Sequence, residues 1–153
     1  MTGNPHFREL LLVFNEHGVE YLIVGGYAVM KYTEPRFTKD LDLWVRNSQQ
    51  NAQKVFAALR AFGAPLSSDD LTAADFESDD LTYQIGVAPL RIDILTHIDG
   101  VSFEEAWPDR TQGTIMGLTV QFLSLKDLIR NKQASGRISD LAHLEQLRDK
   151  TVE

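Results

Sequence analysis

The apolar positions of this chain keep two rhythms, one helical and one alternating. Phe7, Leu10, Leu11 and Phe14 repeat at helical spacing ahead of Gly18, which predicts an amphipathic helix over residues 5–17. Val19 to Val24, rich in β-branched and apolar residues, predicts a buried strand running into Gly25-Gly26. Tyr27 to Tyr32 predicts a short helix that stops before Pro35. Arg36 to Lys39 then form a polar approach to a second strand, Asp40 to Val45. Ser48 is a suitable N-cap for a helix through Phe62, where Ala52, Val55, Phe56 and Leu59 hold the helical period. Residues 63–80 carry Pro65, paired serines and repeated acids, the composition of a surface loop or flap with at most a helical turn.

Beyond this loop, Leu81, Tyr83, Ile85 and Val87 alternate and predict a strand, turning at Ala88-Pro89 into Leu90 to Leu95. Phe103 to Trp107 predicts a helical turn ended by Pro108. Thr114-Ile115 and Leu118 to Phe122 flank Met116-Gly117 as a second hairpin. Ser124 and Asp127 have the spacing of a capping box at the head of a helix that Gly136 ends. Ile138, Leu141, Leu144 and Leu147 mark a last amphipathic helix. This order predicts one domain over residues 1–153 of the α/β (α+β) class, a mixed, mainly antiparallel sheet flanked by helices.

The polar exceptions to this pattern carry the chemistry. Asp40 and Asp42 stand at i and i+2 on one strand, so their carboxylates share a face while Leu41, Leu43 and Val45 face the core. Asp93 adds a third acid on the strand Leu90 to Leu95. Gathering such acids in an apolar setting is costly without a cation, and an all-carboxylate set suits magnesium. Gly25-Gly26 admits a close backbone approach at a helix start, where free N–H groups suit an anion. Glycines for phosphate and acids for metal together point to a nucleotide site.

The apolar fraction of 43% and the charged fraction of 24% are those of an ordinary globular protein. A formal net charge of −7 argues against a broad basic surface for duplex DNA. The absence of cysteine excludes disulfides, zinc thiolates and thiol nucleophiles. Tyr21 to Met30, the longest apolar run, is broken by two glycines and too short to span a bilayer. With no signal-peptide pattern at the N-terminus, a cytoplasmic protein without a membrane partner is the simplest expectation.

Leu22-Ile23-Val24-Gly25-Gly26-Tyr27-Ala28, then Arg36 to Leu43, then Arg91-Ile92-Asp93-Ile94-Leu95 resemble the nucleotidyltransferase superfamily, whose type includes DNA polymerase β. The nearest likeness is to its minimal, abortive-infection or toxin-like branch, and it extends through Leu125 to Lys132 and Gly136 to Leu141. The resemblance implies a magnesium-dependent enzyme with a two-metal site. It would move a nucleoside monophosphate from a nucleoside triphosphate (NTP) to an acceptor hydroxyl on RNA, protein or a small molecule, releasing pyrophosphate. Asp40, Asp42 and Asp93 would be the catalytic metal ligands. Gly25 and Gly26 would cradle the triphosphate, with Lys132, Arg137, Arg36 and Thr38 offsetting phosphate charge. A toxin–antitoxin or phage-defence setting, with an antitoxin or other partner protein, is implied by the resemblance alone. Gly-Gly replaces the Gly-Ser common in the superfamily, which removes one phosphate contact.

Plainer readings stand beside these. A glycine pair also serves as a tight turn, Asp93 can simply pair with Arg91, and Lys132 and Arg137 near a helix end complement its dipole. Asp140 is given no catalytic role, since capping or pairing with Arg137 accounts for it. His6, His17, His97 and His143 have no metal spacing. Two other functions fit the same residues: a non-catalytic nucleotide- or protein-binding module, and an aminoglycoside-type enzyme acting on a small molecule.

Overall fold

The computed structural model describes residues 5–34, 40–87 and 90–152. The chain runs α1 (Pro5–Glu16), β1 (Tyr21–Val24), α2 (Gly25–Tyr32), β2 (Asp40–Val45) and α3 (Gln49–Phe62). It continues with β3 (Thr82–Val87), β4 (Leu90–Leu95), α4 (Phe103–Ala106), β5 (Thr111–Ile115), β6 (Leu118–Phe122), α5 (Leu125–Ser135) and α6 (Ile138–Val152). The six strands form one sheet in the order β3-β4-β2-β1-β6-β5. β1 pairs antiparallel with β2, as do β3 with β4 and β5 with β6, while β2–β4 and β1–β6 are parallel. The sheet is therefore mixed and mainly antiparallel, in keeping with the sequence pattern.

The helices form for the reasons their sequences give. Phe7, Leu10, Leu11 and Phe14 of α1 are buried, as are Ala52, Val55, Ala58 and Leu59 of α3. Ser48 accepts from the Asn51 N–H at 3.2 Å, and Gly63 closes α3 at φ +97°. Asn51 has a second task that its place in a helical pattern conceals. Its side chain is buried and bonds Glu20 N, Glu20 O and Arg46 O, tying the approach to β1 to the end of β2.

Several expectations need correction. The loop over residues 63–80 does hold a helical turn, the 3-10 turn Ala73–Glu77, but the flap alternative gives way to an anchored loop, tied down by fully buried Phe76 and by the bond from the Tyr83 hydroxyl to Asp69 at 2.7 Å. Pro108 sits inside a second 3-10 turn, Trp107–Asp109, rather than ending the helix before it. Ser124 caps α5, but Asp127 does not close the box. Its Oδ1 accepts from Arg130 at 3.4 Å and its Oδ2 has no hydrogen-bond partner. Reciprocal boxes lie instead at α4, between Ser102 and Glu105, and at the 3-10 turn, between Thr72 and Asp75.

The last helix departs furthest. Leu144 and Leu147 are buried, whereas Ile138 and Leu141 are 88% and 51% exposed. At 3.6 residues per turn, each three-residue step lags by about 60°, so residues nine apart face opposite ways. The row of apolar positions winds around the helix, and buried Asp140 takes the inward place in its first turn. No helix among the described residues is long and apolar enough to cross a membrane.

Candidate active site

Parallel pairing of β2 with β4 sets Asp40 beside Arg91 and Asp42 beside Asp93. Since side chains two apart on a strand share a face, these four residues form a square of three carboxylates and one guanidinium. Arg91 spans it: its Nη2 lies 3.2 Å from Asp40 Oδ2 and its Nε 3.3 Å from Asp93 Oδ1. The ion pair between Asp93 and Arg91 is thus present, and it reaches Asp40 as well. Asp40 is paired with Arg91, and its charge still acts on both of the other acids. Among the described residues, no group of three or more His, Asp or Glu is arranged to hold a metal ion.

Asp42 and Asp93 remain together in the buried half of the square. Burial first, and then the charge of Asp93, push the Asp42 carboxyl up to about 7. Protonated Asp42 shares a hydrogen bond with Asp93. Burial also raises Asp93, against the opposing pull of Arg91 and the bond from Asp42. Both shifts describe a pair short of positive charge. Asp93 Oδ1 is buried without a hydrogen-bond partner. A divalent cation fits this pair of oxygen donors.

Gly25 is where the sequence and the structure give different reasons for one residue. It begins α2 at φ +66°, and a Cβ there would lie 2.0 Å from Asp42 Oδ2. The glycine therefore makes room for a carboxylate, besides admitting close approach of a ligand. Val24, ahead of it, offers α2 no side-chain cap.

A cleft of about 400 Å³ opens beside this point, lined by Val24, Gly25 and Asp42 on one side and Lys132, Ser135 and Arg137 on the other. The structure thus brings Gly25, Asp42, Lys132 and Arg137 to one cavity, with Asp93 adjoining Asp42. Gly26 lies in the first turn of α2 and is not among the lining residues. Arg36 and Thr38 fall outside the described residues.

The basic wall is organised by Asp140, which the spacing of residues left as a cap or a partner of Arg137. Its carboxylate is buried and accepts from Lys132 Nζ at 2.8 Å, Ser135 Oγ at 2.7 Å and Arg137 Nε at 2.7 Å. Burial alone would raise this carboxyl, but the bonds from Lys132, Ser135 and Arg137 outweigh it and hold Asp140 well below the usual range. Lys132 is itself buried, while Arg137 is exposed at the rim. The signal in the sequence was Lys132 and Asp140 eight apart across a glycine-capped helix end. Nearby aromatics are packed into the core: Trp44 is buried against Phe103, and Tyr83 against Phe76.

This arrangement of sheet, uncapped helix start and strand acids is the nucleotidyltransferase fold. The lincosamide antibiotic adenylyltransferase LnuA, solved with lincomycin bound, superposes with a TM-score of 0.59 at 14% identity, over 96% of this chain and 97% of that one. The antibiotic-resistance factor ANT(2'')-Ia, in complex with adenylyl-2''-tobramycin, gives 0.58 at 17%, over 95% and 86%. An antigenic nucleotidyltransferase-like protein from Paracoccidioides brasiliensis gives 0.50 at 17%, over 93% and 74%. At these identities the likeness is one of fold. No curated protein matches the sequence. Residues 4–153 match the family model described as "Nucleotidyl transferase of unknown function (DUF2204)", and the chain belongs to that family.

Proposed function

We propose that this protein transfers a nucleoside monophosphate from an NTP to an acceptor hydroxyl and releases pyrophosphate. The observation that carries the reading is the convergence of Gly25, Asp42, Lys132 and Arg137 on one cleft of about 400 Å³, with Asp93 beside Asp42. That volume lies in the range of small-molecule and cofactor sites. Asp42 and Asp93 are the residues that would hold a divalent cation, magnesium. When bound, such an ion neutralises phosphate charge and acidifies a coordinated hydroxyl.

The chain's own residues do the rest. The first turn of α2, without a side-chain cap, offers its N–H groups to the phosphates. Lys132 and Arg137, both oriented by Asp140, face the charge of the departing pyrophosphate. Asp93 receives the proton of the attacking hydroxyl. Transfer of this kind depends mainly on positioning and charge neutralisation, which so compact a set of groups supplies.

The acceptor we favour is a small hydroxyl-bearing molecule. Acidic Asp42 and Asp99 in the cleft and a net charge of −7 are poorly suited to nucleic acid and well suited to a cationic or neutral small molecule. The two antibiotic-modifying proteins of the same fold are consistent with that choice. The test is incubation with α-labelled NTPs and magnesium in the presence of separated small-molecule, RNA and protein fractions of a cell extract. Label is expected in the small-molecule fraction with the wild type and in none with Asp42→Ala/Asp93→Ala. Label on RNA or protein instead would replace the acceptor and favour the toxin-like setting. Nucleotide binding without any transfer would leave a binding module.

A further inference from the structure

Superfamily resemblance implies two metal ions held by three aspartates, yet the third aspartate here already has a cation. Arg91 lies between Asp40 and Asp93, within 3.2 and 3.3 Å of their oxygens, and its side chain is only 33% exposed. Its position is fixed by the fold: parallel register places Arg91 directly beside Asp40, and Asp93 follows two residues on, on the same face. A planar guanidinium suits this task, because it can meet two carboxylates from one side chain.

Resting on the nucleotidyl-transfer reading of this same site, we infer that Arg91 stands in for one of the two metal ions. The protein holds a single divalent ion, at Asp42 and Asp93, with Arg91 as the permanent second positive charge. Charge balance supports the assignment. Three ionised aspartates and one arginine leave two net negative charges, which one divalent ion neutralises. In the nucleotide-free protein a second ion would face a surplus of positive charge and would have to displace a guanidinium from two carboxylates. Lys132, the buried cation across the cleft from Asp42, is bonded to Asp140, which leaves Asp42 as the acid for the metal.

The inference concerns stoichiometry, so it can be read without turnover. The full chain at pH 8 is titrated with Mn²⁺ alone, and free ion is counted by electron paramagnetic resonance. One ion per chain is expected for the wild type and for Arg91→Lys, and two for Arg91→Gln, which leaves three carboxylates without their resident charge. Circular dichroism of each variant confirms folding. Should Arg91→Gln fail to fold, the wild type and Arg91→Lys still decide the matter. Two ions on the wild type, or one on folded Arg91→Gln, overturns the role given to Arg91. Neither result touches the transfer reading, which is measured separately by label on an acceptor. No Mn²⁺ on any form overturns the metal site itself, and with it this inference.

Discussion

Removing Asp140 tests whether the basic wall of the cleft is built as described. Lys132 and Asp140 have side chains only 6% and 2% exposed and meet at 2.8 Å. Asp140→Ala strands Lys132 as a buried charge and also takes an acceptor from Ser135 and Arg137. Breaking a buried pair from one side costs about 3–5 kcal/mol, against about 1 kcal/mol or less for the exposed Arg137 contact. Lys132→Met should cost less, roughly half, because Asp140 keeps its other two donors. The double variant Lys132→Met/Asp140→Leu should recover much of the loss, since apolar replacement of both partners is often near neutral. Urea unfolding followed by the fluorescence of buried Trp44 reads all three, with an unchanged m-value confirming a stability effect. Asp140→Ala within about 1 kcal/mol of the wild type, or a double variant no better than Asp140→Ala, would refute the buried-pair account. The pH dependence has a fixed sign. A carboxylate depressed in the folded state contributes fully above its unfolded value of about 3.9 and loses that contribution as pH falls below it. Asp140→Asn should therefore show a shallower loss of stability on acidification than the wild type.

Three further outcomes follow from the site and its surroundings. Gly25→Ala should lose transfer activity and about 1–2 kcal/mol of stability, measured by assay and urea melt, because φ +66° is strained for alanine and its Cβ would meet Asp42. The raised Asp42 carboxyl, at about 7, should make the metal-free protein lose stability as pH climbs from about 4 to 7. In thermal melts, Asp42→Asn should flatten that fall, and magnesium at pH 8 should raise the Tm of the wild type but not of the variant. On α6, Ile138→Ser and Leu141→Gln should change stability by no more than about 0.5 kcal/mol, whereas Leu147→Ala should cost about 2–5 kcal/mol.

How far the sequence could be read depended on whether the information was local. β2 and β4 follow from alternation and sharp boundaries, and Ser48 and Gly63 mark α3 because capping is decided within one turn. Asp40, Asp42 and Asp93 stood out because acids are rare in apolar strands. Register between strands is not local, and it alone pairs Asp42 with Asp93 and inserts Arg91 against Asp40. The reason for Gly25 was hidden in the same way, since the carboxylate that needs its missing Cβ arrives from another strand. The pairing of Asp140 with Arg137 was legible as an i,i+3 contact, but Lys132 and Ser135 join it only when α5 and α6 fold across Gly136. The helical row in α6 misled through its three-residue spacing, which keeps no single face.

The most direct test of nucleotidyl transfer is a paired-label experiment with one NTP carrying label on the α-phosphate and another on the γ-phosphate. With the purified protein, magnesium and the small-molecule fraction, the α-label should pass to an acceptor and the γ-label should appear only in pyrophosphate. Asp42→Ala/Asp93→Ala should give neither. Transfer of the γ-label to the acceptor, or α-label transfer that persists in the double variant, would contradict the assignment of this cleft.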